Sequence, residues 1–485
     1  MVWRHRDGVF GQRIFALAFA LPFLGGCASV PSKDVALKTS PDPEHTWEPT
    51  AEVIESKTTE YTELPVFEPQ VPYSLPRLLE LGLSKNPQTR VAWWSAQKAL
   101  SSAERAKVPF FPSATATLSG THTRMGALAG GQGATTDTWG PGLTVAYKLF
   151  QFGADKANAE GAACTLAAAN YQFNYALQTA VFAIQKSYYQ YAAAVTAIEA
   201  RKSSLEDAEN SLREAESRMQ NGLGRSQAVL LAKAEKLQAE YELIAAEAAL
   251  EQCRAELALA VGVPVSKEFQ IEVTFNDFEP LAKEVTTLLE DALKNRADIL
   301  AQEAAVEASE KVHFASERSR WPSIELSGGL NRLHHNAPTE PRWQNNYNIG
   351  IGLSWNFFDG FDKQYKALEQ YAELKKQRFS LRQQRLQVLK DVWSEFHAFQ
   401  SSVQLLTAAK ALEAAAQEAL NASRSGYDSG LNDILDVLSA QKNLSEARLK
   451  RTQSQASLAT HWAQLAYVSG RLNTETSKET TESNP

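Results

Sequence analysis

Between residues 155 and 220 the chain has no proline and a single glycine, Gly161. Folded as one helix at 1.5 Å per residue, such a run is about 100 Å long, several times an ordinary globular helix. No compact domain encloses a rod of that length, so the chain must build an elongated body. The run breaks at Gly222-Leu223-Gly224, and a second apolar-periodic run occupies 227–261. One half-chain later the pattern returns as 362–427, a break at Gly430-Leu431, and 433–469. Two long antiparallel helical hairpins, each turning at a glycine, are the expected framework.

The halves align at a shift of about 208 residues, the mark of a repeated unit. Leu223 falls on Leu431, Leu230 on Leu438, Ala232 on Ala440 and Gly262 on Gly470. Upstream, Phe111-Pro112-Ser113 falls on Trp321-Pro322-Ser323 and Leu118-Ser119-Gly120 on Leu326-Ser327-Gly328. The repeats are 72–261 and 281–470, joined by a mixed segment, 262–280, whose strand-like stretch 269–275 is expected as a belt outside the helices. Short helices are predicted at 75–85, 87–107, 282–294 and 297–320. The helix at 87–107 and the one at 227–261 nearly add up to the long run, so stacked end to end they could line it. Within 227–261, Leu230, Ala234, Leu237, Tyr241, Ile244 and Ala248 alternate in steps of four and three. That is a coiled-coil seam, expected to face the preceding long helix.

Ahead of each long run lies strand-like sequence. In 113–123, Thr115, Thr117, Ser119, Thr121 and Thr123 alternate with Ala114, Ala116, Leu118 and Gly120, giving one wet and one apolar face. The other predicted strands are 139–149, 323–333 and 347–358. Loops are expected at 125–136 and through His334 and Pro341. Trp139, Tyr147 and Phe150 lie toward the ends of their strand, where membrane strands favour aromatics.

The formal net charge of -7 and the lack of a basic run offer no electrostatic footprint for nucleic acid. Arg4, Arg6 and Arg13 flank an apolar run at 14–24, too short to span a bilayer but suited to a signal peptide, 1–26. Leu24-Gly25-Gly26-Cys27 resembles a bacterial lipobox, which implies a covalent lipid on Cys27. Ala28 at the next position implies export onward to the outer membrane. Residues 27–71 are polar and proline-rich, an extended tether, and 471–485 is a polar tail. No later segment reads as a membrane helix, so any crossing must be a closed β-barrel.

The paired halves, the Phe111-Pro112-Ser113 and Trp321-Pro322-Ser323 motifs, Phe357-Phe358-Asp359-Gly360, and Tyr427-x-x-Gly430 before Leu435-Asp436-Val437-Leu438 together resemble the TolC family of outer-membrane efflux channels. The likeness is to its lipid-anchored members, which serve resistance-nodulation-division pumps. It implies a mainly α protein with a membrane β-barrel: a homotrimer whose protomers each give four strands to a twelve-stranded barrel, continued by a long periplasmic α-helical barrel. It further implies a passive exit duct, not an enzyme, partnered by a periplasmic adaptor, an inner-membrane pump and outer-membrane lipids. Four strands cannot close a barrel alone, since the smallest membrane barrels have about eight. Type I protein secretion uses the same duct, and a non-channel coiled-coil scaffold is the alternative from another class.

No cofactor or metal site is expected: the His334-His335 pair has no Cys, Asp or third His nearby. Cys164 and Cys253 would lie roughly 40 Å apart in height, beyond disulfide reach, and are expected as buried packing residues. The functional candidates are at the periplasmic turns. Asp436 matches the family's Asp-Val-Leu position and Asp433, three residues earlier, lies on the same helical face. Ringed by a threefold axis, the two would favour cations at a narrow end, although Ser439 stands where some relatives carry a second acid. Arg225, opposite Asp433 in the other half, is expected to ion-pair across the closed tip. Gly222, Leu223, Gly430 and Leu431 are the expected adaptor contacts.

Overall fold

The computed structural model describes residues 72–126, 134–265, 270–273, 284–336 and 342–472. The chain divides into two units, Met1–Val66 and Phe67–Pro485, and only the second contains described residues. The signal peptide, Cys27 and the tether up to residue 71 lie outside them, as does the tail beyond 472 and most of the 262–280 segment.

Each half runs helix, helix, strand, strand, long helix, helix. The first comprises α1 (Leu75–Lys85), α2 (Pro87–Ala106), β1 (Ser113–Met125), β2 (Ala134–Phe150), α3 (Ala154–Gln220) and α4 (Ser226–Val261). The second comprises α5 (Val285–Asn295), α6 (Ala297–Arg318), β3 (Ser323–Asn336), β4 (Arg342–Ser354), α7 (Asp362–Asp428) and α8 (Ile434–Val468). Both long helices have 67 residues, about 100 Å each.

The end-to-end stacking is built by two matching junctions. Asn86 caps α2, its side chain accepting from the Gln88 N–H at 2.8 Å, and its amide donates to the Ala260 carbonyl at 2.7 Å near the end of α4. Gly262, at φ 85°, lies so close that an added Cβ would sit 2.7 Å from Asn86 Cα. In the second half Arg296 takes the place of Asn86: its Nη1 donates to the Val468 carbonyl at the end of α8 at 3.1 Å. Asp298 holds the same guanidinium through two bonds, 3.0 and 2.7 Å. Buried clusters lock the stacks in place, one around Leu78, Ile184, Tyr188, Leu257 and Val261, another around Leu288, Ile299, Val392, Phe399 and Leu465. Ile271 of the predicted belt strand forms a parallel bridge with Tyr73, and the Tyr188 hydroxyl donates to the Glu272 carbonyl at 2.7 Å.

The coiled-coil expectation for α4 needs correcting. Over the span of the predicted seam, 230–248, Ala232 and Ala239 are the buried residues, small enough to let neighbouring helix backbones approach. Leu230, Leu237, Tyr241 and Ile244 are 66, 53, 70 and 66% exposed, and Ala234 and Ala248 are exposed too. Periodicity identifies an apolar stripe but not its partner, and among the described residues of one chain this stripe stays largely uncovered. Cys164 and Cys253 are free and half-buried, rather than buried; partial burial raises both thiol pKa values.

The strands form one antiparallel sheet in the order β1-β2-β3-β4. β2 begins at Ala134, five residues before its predicted start, and β4 runs Arg342–Ser354, so Trp355 to Phe358 leave the sheet. His334 and His335 lie inside β3, not in a loop, pairing with Trp343 and Arg342. A polar rim continues the ladder here although its sequence has lost the apolar alternation. Residues 127–133 and 337–341 of the predicted loops lie outside the described residues.

Candidate functional site: a two-faced sheet and paired hairpin tips

Cross-strand partners share a face, so the register sorts the sheet. One face carries Ala114, Ala116 and Leu118 of β1; Leu143, Val145 and Tyr147 of β2; Leu326 and Leu330 of β3; and Tyr347, Ile349, Ile351 and Leu353 of β4. The opposite face carries Thr115, Thr117, Thr144, Lys148, Ser327, Asn331, Asn346 and Asn348. Apolar residues on the first face remain open to solvent in the single chain, Ile349 at 82% and Leu118 at 78%. An uncovered apolar face of this size marks a surface built for lipid or protein.

Aromatic clusters bound the apolar band. Trp139 and Trp343 meet at one end with ring centroids 5.0 Å apart. At the helical end Phe152 lies 4.9 Å from Phe150 and 5.3 Å from Trp321. From Trp139 to Phe150 a strand rising 3.4 Å per residue covers roughly 37 Å. Tilted by about 40°, that becomes roughly 28 Å, close to the height of an outer-membrane apolar band. Pro141 lies within β2, and the β2–β3 register skips it and Gly140. The backbones press together there: a Cβ on Gly140 would sit 2.0 Å from the Arg332 carbonyl oxygen. Among the described residues no helix is long and apolar enough to cross a membrane. The outer edges of β1 and β4 have no partner strand within the sheet.

At the far end of the helices the two hairpin turns are built alike. Gly222 and Gly430 have φ of 73° and 74°, the left-handed conformation that ends a helix and that a side chain resists. The following N–H closes each turn, Leu223 to the Arg218 carbonyl and Leu431 to the Gly426 carbonyl, both at 2.8 Å. Leu223 and Leu431 consequently project outward, 82 and 84% exposed. These four predicted contact residues thus form two equivalent apolar knuckles.

The acidic pair does local work in addition. Asp433 is the N-cap of α8, accepting from the Ile434 N–H at 2.7 Å, and Asp436 accepts from the Asp433 N–H at 3.3 Å, a capping box. Asp433 therefore lies outside the helix, not on a helical face with Asp436, while both carboxylates remain at the exposed tip. Arg225 is exposed and forms no ion pair among the described residues; as the N-cap of α4 it makes no side-chain cap.

The cross-tip bond belongs to Arg218 instead. Its guanidinium donates to the Tyr427 carbonyl at 3.0 Å and Asp428 at 3.1 Å, and lies 4.0 Å from the centre of the Tyr427 ring. Burial raises the Tyr427 phenol above its ordinary pKa, against the nearby Arg218 charge. Higher up, Asp207 of α3 accepts from Arg424 of α7 at 2.8 Å and faces Arg448 of α8 at 3.9 Å. Buried Gln441 donates to the Asp207 carbonyl at 3.2 Å and Ser211 at 2.8 Å. Sequence reading missed Arg218 and Asp207 because each sits in a charge-rich helix among similar residues; the signal lay in Tyr427 beside the turn, a ring able to receive a cation.

Comparison with known proteins agrees with this geometry. The outer-membrane channel OprN is 21% identical, with a TM-score of 0.72 over 82% of this chain and 89% of its own. The Campylobacter jejuni outer membrane channel CmeC is 15% identical, with a TM-score of 0.75 over 84% and 89%. The Vibrio cholerae outer membrane protein VceC is 20% identical, with a TM-score of 0.73 over 82% and 96%. These likenesses concern the fold, and no curated protein sequence matches the chain. The sequence model described as outer membrane efflux protein matches residues 78–263 and 288–471, one match per repeat. With most of both repeats matched and a sheet proportioned for an outer membrane, the chain belongs to the outer membrane efflux protein family, a family of channels and not of enzymes.

Proposed function

We propose that three copies of this chain close one twelve-stranded barrel through the free edges of β1 and β4, with the apolar face toward lipid and the threonine- and asparagine-rich face lining the lumen. The observation that carries this reading is the continuity of both faces across all four strands, which a flat sheet in water would not need. The exposed stripe of Leu230, Leu237, Tyr241 and Ile244 supplies a helical contact between neighbouring copies, continuing the duct into the periplasm as an α-helical barrel.

In this reading the hairpin tips face the inner membrane. The Leu223 and Leu431 knuckles meet a periplasmic adaptor, which links the duct to an inner-membrane pump. The Asp433 and Asp436 carboxylates, repeated by the threefold axis, ring the narrow end and favour cations. Arg225, exposed at the tip and without an ion pair among the described residues, stands ready for a carboxylate of a neighbouring copy or of the adaptor. Cys27 carries a covalent lipid that anchors the trimer to the outer membrane. The duct is passive, and its cargo is a drug or other small toxic compound delivered by the pump.

Growth of a strain lacking the protein, complemented by wild type or Cys27→Ala, tests the reading. Broad hypersensitivity to dyes, detergents and antibiotics that wild type rescues supports it. Normal resistance with loss of one secreted protein from the medium would move the assignment to type I secretion.

A further inference from the structure

On the apolar side of the sheet, the rows nearest the hairpin loops change character. Trp139, His334 and Trp343 are direct cross-strand partners. Their rings form a closed triad, with centroids 5.5, 5.1 and 5.0 Å apart. His334 Nδ1 has no hydrogen-bond partner among the described residues. Two residues nearer the apolar band along β3, the Arg332 guanidinium lies 5.2 Å from the Trp343 ring centre. Arg332 is exposed and no carboxylate pairs with it among the described residues. On β1, Arg124 stands on this same side by register and is likewise exposed and without an ion pair among the described residues. The acid nearby, Asp137, is already engaged by the His122 ring.

Indole rings alone would serve as interfacial anchors. Unpaired guanidinium groups add something an anchor does not require: a planar fork that fits a phosphate. They sit at the rim remote from the helices, in a chain whose net charge is negative. If the helices point into the periplasm, this rim lies in the outer leaflet, which is rich in a phosphorylated glycolipid.

We propose that Trp139, Arg332, His334 and Trp343, with Arg124, form a lipid-facing site for the headgroup of that phosphorylated glycolipid. Arg332 and Arg124 take its phosphates, the Trp139 and Trp343 rings pack against its sugar faces, and its acyl chains run down Leu330, Tyr347 and Ile349. The site rests on the reading of the strands as an outer-membrane barrel. Its effect is to fix the height of the barrel and to brace the β3–β4 hairpin.

The test is native mass spectrometry of the full-length protein titrated with a bisphosphorylated glycolipid, its dephosphorylated form and phosphatidylglycerol. The bisphosphorylated form should bind up to one per chain and the other two much more weakly. Arg332→Gln should weaken it about fivefold, the worth of one basic residue at an anionic lipid surface, and Arg332→Gln with Arg124→Gln further. Arg342→Gln, which the register places on the opposite face, should leave binding unchanged. Equal binding of phosphatidylglycerol, or undiminished binding by the double variant, would overturn the site. Assembly in the outer membrane separates the two levels: a wild type that forms heat-modifiable oligomers in the outer-membrane fraction yet ignores the glycolipid removes this site alone, whereas a wild type that forms none removes the barrel reading beneath it. Arg124→Gln alone, should Arg332→Gln fail to assemble, carries the same comparison.

Discussion

Arg218→Ala should loosen the pairing of the two hairpin tips. The side chain spans from α3 to α7, with a charged hydrogen bond to the Tyr427 carbonyl at 3.0 Å, an ion pair to Asp428 at 3.1 Å and the Tyr427 ring at 4.0 Å. A charged hydrogen bond contributes about 1.5–3 kcal/mol. A cation over a partly exposed ring adds about 0.5–1 kcal/mol. The ion pair adds little, because Asp428 is 67% exposed and water screens it. The Tyr427 carbonyl stands at a helix end, where water replaces part of the lost bond, so a net loss of about 2 kcal/mol is reasonable. That is about a thirtyfold change in the equilibrium between joined and separated tips. If separated tips make up about 1% of wild type, the variant should hold about a quarter. Spin labels at Leu223 and Leu431, after replacement of the free Cys164 and Cys253, report the distance distribution by double electron–electron resonance. A longer-distance component, with raised conductance in planar bilayers, is expected. Superimposable distributions would refute the clamp.

Three further outcomes follow from the geometry. Because both tip carboxylates also cap α8, Asp433→Asn with Asp436→Asn should abolish cation preference while keeping the cap, whereas Asp433→Ala should also destabilise the helix end by about 1 kcal/mol; unchanged ion selectivity in the Asn pair would sink the acidic ring. Burial alone would raise the Asp298 carboxyl, but the Arg296 hydrogen bonds and charge outweigh it and hold its pKa below the ordinary 3.8. A lowered folded pKa gives stability that is complete above the unfolded value and is lost as pH falls through the folded one. Asp298→Asn should therefore unfold with a flatter dependence below about pH 4, and at neutral pH should lose about 3 kcal/mol by leaving buried Arg296 unpaired; chemical denaturation across pH 2–7 checks both. Leu237→Glu with Ile244→Glu should leave the isolated chain's helices intact by circular dichroism yet abolish the assembled species on size exclusion, and an unaltered oligomer would refute the stripe as the contact between copies.

Much of the architecture was legible because its signals are local. A proline-free run fixes helix length, a left-handed glycine fixes where Gly222 and Gly430 turn, and alternation of small hydroxyl and apolar residues fixes which side of β1 is wet. Duplication doubled the evidence for each. Where local signal failed, the reason was a distant partner. His334 and His335 look like loop residues until Trp139 and Trp343 are placed beside them. Arg225 matched Asp433 in the alignment of the halves, yet the tip is tied by Arg218, in the last turn of α3 before the Gly222 break, because Tyr427 offers that position both a carbonyl and a ring.

By itself the sequence determined the lengths, the order of elements, the turn positions and the two-faced strands, since these depend on backbone sterics and on side-chain periodicity along a single segment. Only the tertiary structure decided that Ala232 and Ala239 are buried while Leu230 and Leu237 remain open, that Arg296 replaces Asn86 at the second junction with Asp298 to balance it, and that Arg218 reaches Tyr427 and Asp428 across the tip. Those choices turn on which helix approaches which face and how closely. That is set by packing between separate elements, from the adjoining helices α3 and α4 to Arg296 and Val468, 172 positions apart, where no periodicity within one segment carries the information.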